Sequence, residues 1–545
     1  MLERVLGLLA TSKAETKKYK ARRDYQVKQG KAILAIALMM GSAGAVQSDQ
    51  NQIPLVEATI AQLQEAITSG QTTCRKIVQG YLNRIARFDK PTGLNAITLV
   101  NPAALKRADE IDQSLQRGEA QGPLFCAPIL VKDNFDTHDM PTTGGSIALK
   151  DNYPPDDAFM VRKLREAGAI VVAKTNMAEW AFSPRQTVSS SYGVTANAYD
   201  LSRVPAGSSG GTASGAAASF GVAGMGTDTG NSVRGPSSHL ALFGIRSTIG
   251  LTSRDGVIPL AFDRDIAGPM TRTVEDGARL FNVIAGYDPA DPFTKLGKGK
   301  REVDYTKFLK KDGLKGARFG VLRALVDTED ADPEVIALFE KALDDLRAAG
   351  AEIIDPFVVD NFAKHLDAEN FCPRFRYDMK LYLQSLGDKA PIKDIAEVYK
   401  SGAHSDHAQR GLKYFSDKAF EQHPREGNPA CEEFPIHAGR KAFLEDVLSE
   451  MAENKLDAVL YPTWTNPPAH LDRARADYKG DNSQRVAPAT GLPAVTVPMG
   501  YSYGHLPAGL QILGAPYSEG LLIKFAYAYE QRTHHRKPPE LYNKE

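Results

Sequence analysis

Apolar residues recur at helical spacing through residues 53–89, IPLVEATIAQLQEAITSGQTTCRKIVQGYLNRIARFD, and a Gly-Gln-Thr-Thr break divides the segment into two predicted amphipathic helices. The short apolar run APILVKDN (127–134) ends in a lysine and predicts a buried strand. The pattern then alternates. Residues 158–177, 333–360 and 446–461 each read as a helix followed by a strand. This alternation predicts an α/β fold, a central mixed sheet covered by helices with its strands largely in sequential order. Residues 361–445 are less periodic and richer in aromatics and charge, so they read as a helical insertion beside a core that spans 54–540. No internal repeat and no linker rich in Pro, Gly or Ser divides that core.

The N-terminal 45 residues follow a different pattern. A basic cluster at 13–31 precedes AILAIALMMGSAGAVQ (32–47), in which Ala32 to Met40 is unbroken apolar sequence. That run is too short for a stable membrane span, which needs about 20 residues. Ala43-Gly44-Ala45 supplies small residues for cleavage, completing the pattern of a secretory signal peptide. The mature chain is therefore expected to begin near Val46 and to work in the periplasm or outside the cell. An uncleaved terminus would leave it in the cytoplasm.

Charge removes one partner class. Lys+Arg and Asp+Glu both total 66, so no electrostatic footprint for nucleic acid is present. Cys74, Cys126, Cys372 and Cys431 show neither CxxC pairing nor zinc spacing. One or two disulfides and four free thiols both remain open, with Cys372 and Cys431 the closest pair in sequence.

The chemistry concentrates between residues 127 and 236. GVAGMG (221–226) lacks the context of a dinucleotide loop, and no phosphate-binding G-x-x-x-x-G-K-[ST] occurs. GSSGG (207–211) satisfies G-x-S-x-G at Ser209, but a polar segment ending in Pro-Ala precedes it where a nucleophile elbow needs a strand. Among histidines, His239 follows Pro236-Ser237-Ser238 at a helix start and reads as packed, while His404 and His407 read as a solvated face. That leaves Lys132 as a base. An amine with an ordinary pKa near 10.4 serves at neutral pH only if burial favours its neutral form. The apolar residues before Lys132 provide such burial; the plainer reading pairs it with Asp133 or Asp136.

Two serines in nests of small residues follow that lysine, in GSSGGTASGAAAS (207–219) and GTDTGNS (226–232). Together with VKDNFDT (131–137), KTNMAEWAF (174–182), SRVPAGSSGG (202–211), LPAVTVPMGY (492–501) and PAGLQILG (507–514), they make the chain resemble the amidase signature family from about residue 54 to 538. The resemblance implies a Ser–cis-Ser–Lys triad, with Ser232 as nucleophile, Ser208 as bridging serine on a cis peptide and Lys132 as base. It implies an oxyanion hole from the backbone of Thr229, Gly230, Asn231 and Ser232, braced by Asp228 and Arg234. Asn231 departs from the family, which usually has glycine there, and Gly235 replaces a bulkier apolar residue.

The activity so implied is hydrolysis of a carboxylic amide C–N bond through an acyl-enzyme, with no metal or organic cofactor. The interleaved aromatics and arginines of NFCPRFRYDMKLYLQSL (370–386) point to an extended substrate such as a peptide amide or aryl amide; a packed amphipathic helix is the other reading of that stretch. Two alternatives stand beside the main one: the amide-hydrolysing subunit of a tRNA-dependent amidotransferase, and a non-catalytic binding protein on the same fold.

Overall fold

Eleven strands of the computed structural model join in one sheet. The structure describes residues 53–368, 371–427 and 430–544, so the expected signal peptide at 1–45 lies outside the described residues. From one edge the strands run Ile97–Val100, Ile170–Thr175, Pro128–Lys132, Ala223–Asp228, Ile266–Thr271 and Phe243–Arg246. Beyond these come Ala494–Ser502, Leu506–Gly514, Ala458–Pro462, Arg318–Val321 and Glu352–Ile354. Pro128–Lys132 pairs in parallel with both of its neighbours, whereas Ala223–Asp228 pairs antiparallel with Ile266–Thr271, so the sheet is mixed.

The expected sequential order does not hold. The hairpin formed by the C-terminal strands 494–502 and 506–514 inserts between Phe243–Arg246 and Ala458–Pro462. Both hairpin strands are almost wholly buried, which only a central position in a covered sheet allows.

Local structure follows the sequence patterns closely. Helices Ile60–Thr68 and Cys74–Thr92 flank the expected break, and Thr59 and Thr73 cap them by accepting from the backbone N–H groups of Gln62 and Lys76. Phe159–Glu166 leads into Ile170–Thr175, and Ala438–Glu453 into Ala458–Pro462. The small-residue stretch folds as a buried helix, Gly210–Ala217. It lies so close to its neighbours that a Cβ on Gly211 would stand 2.3 Å from the Asn176 carbonyl oxygen.

Within 361–445 the described residues form helices Phe362–Asp367, Phe375–Ser385, Ile395–Ser401 and Asp406–Phe415. The last three share an apolar cluster with Leu149, Trp180 and Ile258 of the core. All four cysteines are bonded: Cys74 to Cys126 at a Cα separation of 5.6 Å, and Cys372 to Cys431 at 5.8 Å.

Candidate active site

The parallel pairing of Pro128–Lys132 with Ala223–Asp228 decides where the chemistry meets. Val131 is in register with Met225, so Lys132 and Thr227 emerge side by side at the C-terminal ends of adjacent strands. Crevices at such strand ends are where α/β sheets place ligands. Lys132 Nζ lies 2.8 Å from Ser208 Oγ and 2.6 Å from Thr227 Oγ1, and Asn134 Nδ2 donates to the same Thr227 oxygen at 3.1 Å. The Gly207–Ser208 peptide is cis.

Lys132 has no ion-pair partner among the described residues. Asp133 lies 3.7 Å from Lys174 instead, and Asp136 accepts from the Tyr382 hydroxyl at 2.8 Å. Complete burial lowers the Lys132 amine to about 7, against the opposing pull of Asp265 and Asp228. A lysine so placed is neutral for a large part of the time near pH 7.

Ser232 is 5% exposed, and its Oγ donates to Asn231 Oδ1 at 3.3 Å. No hydrogen bond joins Ser232 to Ser208 among the described residues. The backbone N–H groups of Thr229, Gly230, Asn231 and Ser232 donate to no acceptor among the described residues, leaving four consecutive donors beside one hydroxyl. The neighbouring serine faces elsewhere: Ser209 Oγ donates to the Thr227 carbonyl at 3.2 Å and accepts from the Thr227 N–H at 3.3 Å.

Asp228 and Arg234 hold that loop in shape. The Asp228 carboxylate accepts from the Val233 N–H at 3.2 Å, from Arg234 Nε at 3.1 Å and from Arg246 Nη1 at 2.9 Å. Arg234 Nη2 also donates to the Gly230 carbonyl at 2.8 Å. Burial would raise the Asp228 carboxyl, but the two guanidiniums overcome it and hold it at about 2. Asp265 anchors the other end of the loop by accepting from the Thr229 hydroxyl.

Ser232, Asn231, Gly230 and Thr229 open onto a cavity of about 800 Å³. Its apolar wall carries Phe182, Leu260, Phe371, Tyr414 and Phe415, and Arg185, Arg264, Arg410 and Arg475 also line it. Of the aromatics in 370–386, only Phe371 reaches this cavity. Phe375 and Tyr382 are buried in the apolar cluster, Tyr377 stands edge-on to His423, and Arg374 and Arg376 are paired with Asp378 and Asp394. Helix Asp406–Phe415 lines the cavity instead, and His407, exposed as expected, stands on its wall with a ring nitrogen 2.8 Å from Gln186 Nε2. His239 is packed as expected, its ring 4.4 Å from that of Trp464.

Thr227, Asp265 and Asp481 escaped the sequence reading. Thr227 sits inside the GTDTGNS motif, but nothing local shows that it faces Lys132. Asp265 and Asp481 come from segments without a motif.

This layout can pass a proton from a serine hydroxyl to a neutral amine and surround a negative oxygen with fixed donors, which are the requirements of acyl transfer at a carbonyl. The comparisons with known proteins agree. The Amidase family model matches residues 76–523. Over 512 residues the chain is 33% identical to the A subunit of glutamyl-tRNA(Gln) amidotransferase from Microcystis aeruginosa, covering 89% of this chain and 100% of that protein. The structure of native peptide amidase from Stenotrophomonas maltophilia aligns with a TM-score of 0.78 at 35% identity, over 90% of this chain and 100% of that one. The A subunit of the Thermotoga maritima glutamyl-tRNA(Gln) amidotransferase aligns with a TM-score of 0.69 at 27% identity, over 90% and 97%. The chain belongs to the amidase signature family, and it is an amide-hydrolysing enzyme.

Proposed function

We propose that the protein is a serine amidohydrolase that cleaves the C–N bond of an extended carboxamide, a peptide amide or an aryl amide, with Ser232 as nucleophile. The observation that carries this reading is the 2.8 Å contact between buried Lys132 and Ser208, beside the free N–H groups of residues 229–232 on the cavity wall.

Catalysis begins when Ser232 exchanges its 3.3 Å bond to Asn231 for one to Ser208. Neutral Lys132 takes the Ser208 proton while Ser208 takes that of Ser232, and the Ser232 oxygen bonds to the amide carbon. The carbonyl oxygen becomes negative and is held by the backbone donors at 229–232; each such donor is worth about 3–4 kcal/mol in the transition state. The proton returns through Ser208 to the leaving nitrogen, the C–N bond breaks, and ammonia or an amine departs. Water then repeats the sequence on the ester, releasing the carboxylate and restoring Ser232.

The cavity supports an extended substrate, because a volume of about 800 Å³ lined by aromatics and arginines offers far more contact than a molecule as small as acetamide can use. Binding energy gained there can be used in the transition state. A peptide amide or aryl amide is therefore expected to show kcat/KM at least about 100-fold above acetamide. Equal values would refute the extended-substrate reading.

The second reading, an amidotransferase subunit that hydrolyses glutamine, is favoured by the 33% identity to the Microcystis aeruginosa protein along its full length. The higher TM-score and identity of the peptide amidase favour the first. Assaying the purified single chain on L-glutamine beside the peptide and aryl amides separates them: preference for glutamine would establish the second.

Export is part of the same proposal. Two disulfides suit an oxidising compartment. N-terminal sequencing of the native protein is expected to begin near Val46; a chain starting at Met1 in the cytosol would refute export.

A further inference from the structure

Asn231 places a carboxamide against the nucleophile, and its orientation is fixed by its neighbours. Nδ2 donates to Asp481 Oδ2 at 3.0 Å and to the Pro184 carbonyl at 3.3 Å. The same carboxylate oxygen accepts from the Tyr478 hydroxyl at 2.9 Å and from Gln484 Nε2 at 3.0 Å, so it offers Asn231 an acceptor and nothing to accept. An amide whose nitrogen is committed to two acceptors cannot flip, and its oxygen must face the other way. Oδ1 therefore points at Ser232 Oγ, 3.3 Å away.

Room for this side chain comes from Gly235. A Cβ at that position would stand 2.9 Å from Asn231 Nδ2 and 3.2 Å from the Trp464 ring, although Gly235 lies in an ordinary helical turn. The two departures from the family pattern are thus one arrangement: the side chain missing at 235 is what admits the one at 231.

We infer that Asn231 Oδ1 is a specificity determinant that accepts a hydrogen bond from the N–H of the leaving group and so selects amides over esters. The inference rests on the reading of Ser232 as nucleophile. When Ser232 turns to Ser208, Oδ1 loses its only donor among the described residues and is left buried beside the reacting carbon. A buried acceptor without a partner is costly. A leaving nitrogen must direct its lone pair at Ser208 to be protonated, which turns its hydrogens away from Ser208 and leaves one free to satisfy Oδ1. An ester oxygen has no hydrogen to give. The site thereby rejects the analogue that lacks the donor, as buried polar sites do.

The test compares kcat/KM for the best amide found in the substrate panel with that for the methyl ester of the same acyl group. Both form the same acyl-enzyme, so the ratio reports binding and acylation, the steps in which the leaving groups differ, and not deacylation. Asn231→Gly is expected to lower the amide-over-ester ratio about tenfold, the scale set by losing one buried hydrogen bond. Gly235→Ala, which presses on the carboxamide without removing it, is expected to lower the ratio in the same direction. Adding Gly235→Ala to Asn231→Gly is expected to change the ratio no further, since the cycle then has nothing left to couple. An unchanged ratio in both single variants, or full additivity in the double variant, would overturn the inference. Ser232→Ala controls the reading beneath it. Loss of both amide and ester turnover leaves the test valid, whereas survival of either removes the nucleophile on which the inference depends.

Discussion

Ser232→Ala is expected to lose at least about four orders of magnitude in kcat, because the other hydroxyl of the 229–232 loop, on Thr229, is held by Asp265. Ser208→Ala should be nearly as damaging. Its hydroxyl lies 2.8 Å from Lys132, the proposed base, so removing it should interrupt proton transfer in both directions. Residues that act as one unit are not additive, and the Ser208/Ser232 double variant should be little worse than either single one. Ser209→Ala gives the contrast. That hydroxyl is engaged with the Thr227 backbone, so its loss should cost stability of about 1–3 kcal/mol while kcat stays within about tenfold of the parent. Steady-state kinetics with a thermal melt of each variant checks all four. A dead Ser209→Ala beside an active Ser208→Ala would reverse the assignment of the pair.

The second large effect concerns Lys132. It must be neutral to accept a proton, and burial brings the amine down to about 7. The active form therefore predominates above that value, and kcat/KM is expected to fall tenfold per pH unit below about 7 and to level off above it. Lys132→Ala should reduce kcat by about three to four orders of magnitude, remove that acid limb and leave a rate that rises with hydroxide. Lys132→Arg should be equally poor, since a guanidinium does not surrender its proton at these pH values. Asp265 raises the Lys132 amine, so Asp265→Asn should carry the acid limb to lower pH. A limb that stays in place in Lys132→Ala would belong to another group.

Local patterns gave direct access to part of this arrangement. Lys132 stood out because a lysine closing the run APILV is anomalous in a buried strand, and the two serines because small residues crowd around them. Caps and periodicity marked the helices at 60–68 and 74–92 for the same reason: both signals lie within a few residues of each other. The sheet order was not accessible, because the hairpin at 494–514 pairs with a strand some 250 positions earlier, and strand pairing at that distance leaves no local trace. Thr227 and Asp481 reach their partners across 95 and 250 positions. The aromatics of 370–386 show a further limit. Periodicity reveals that Phe375 and Tyr382 share a face, but not that this face meets the protein interior while Phe371 meets the cavity.

The pairing of Asn231 with Gly235 belongs to the same category. Each looked like an isolated departure from the family in the sequence, and only the 2.9 Å clearance between a Cβ at 235 and Asn231 Nδ2 joins them.

The central claim is that Ser232 is the nucleophile, activated by Lys132 through Ser208. Labelling the purified protein with a fluorophosphonate and mapping the adduct by peptide mass spectrometry tests it most directly. The expected result is one adduct, on the peptide containing Ser232, absent from Ser232→Ala and formed far more slowly in Lys132→Ala and Ser208→Ala. An adduct on Ser209, or labelling of Ser232→Ala at the parent rate, would contradict it.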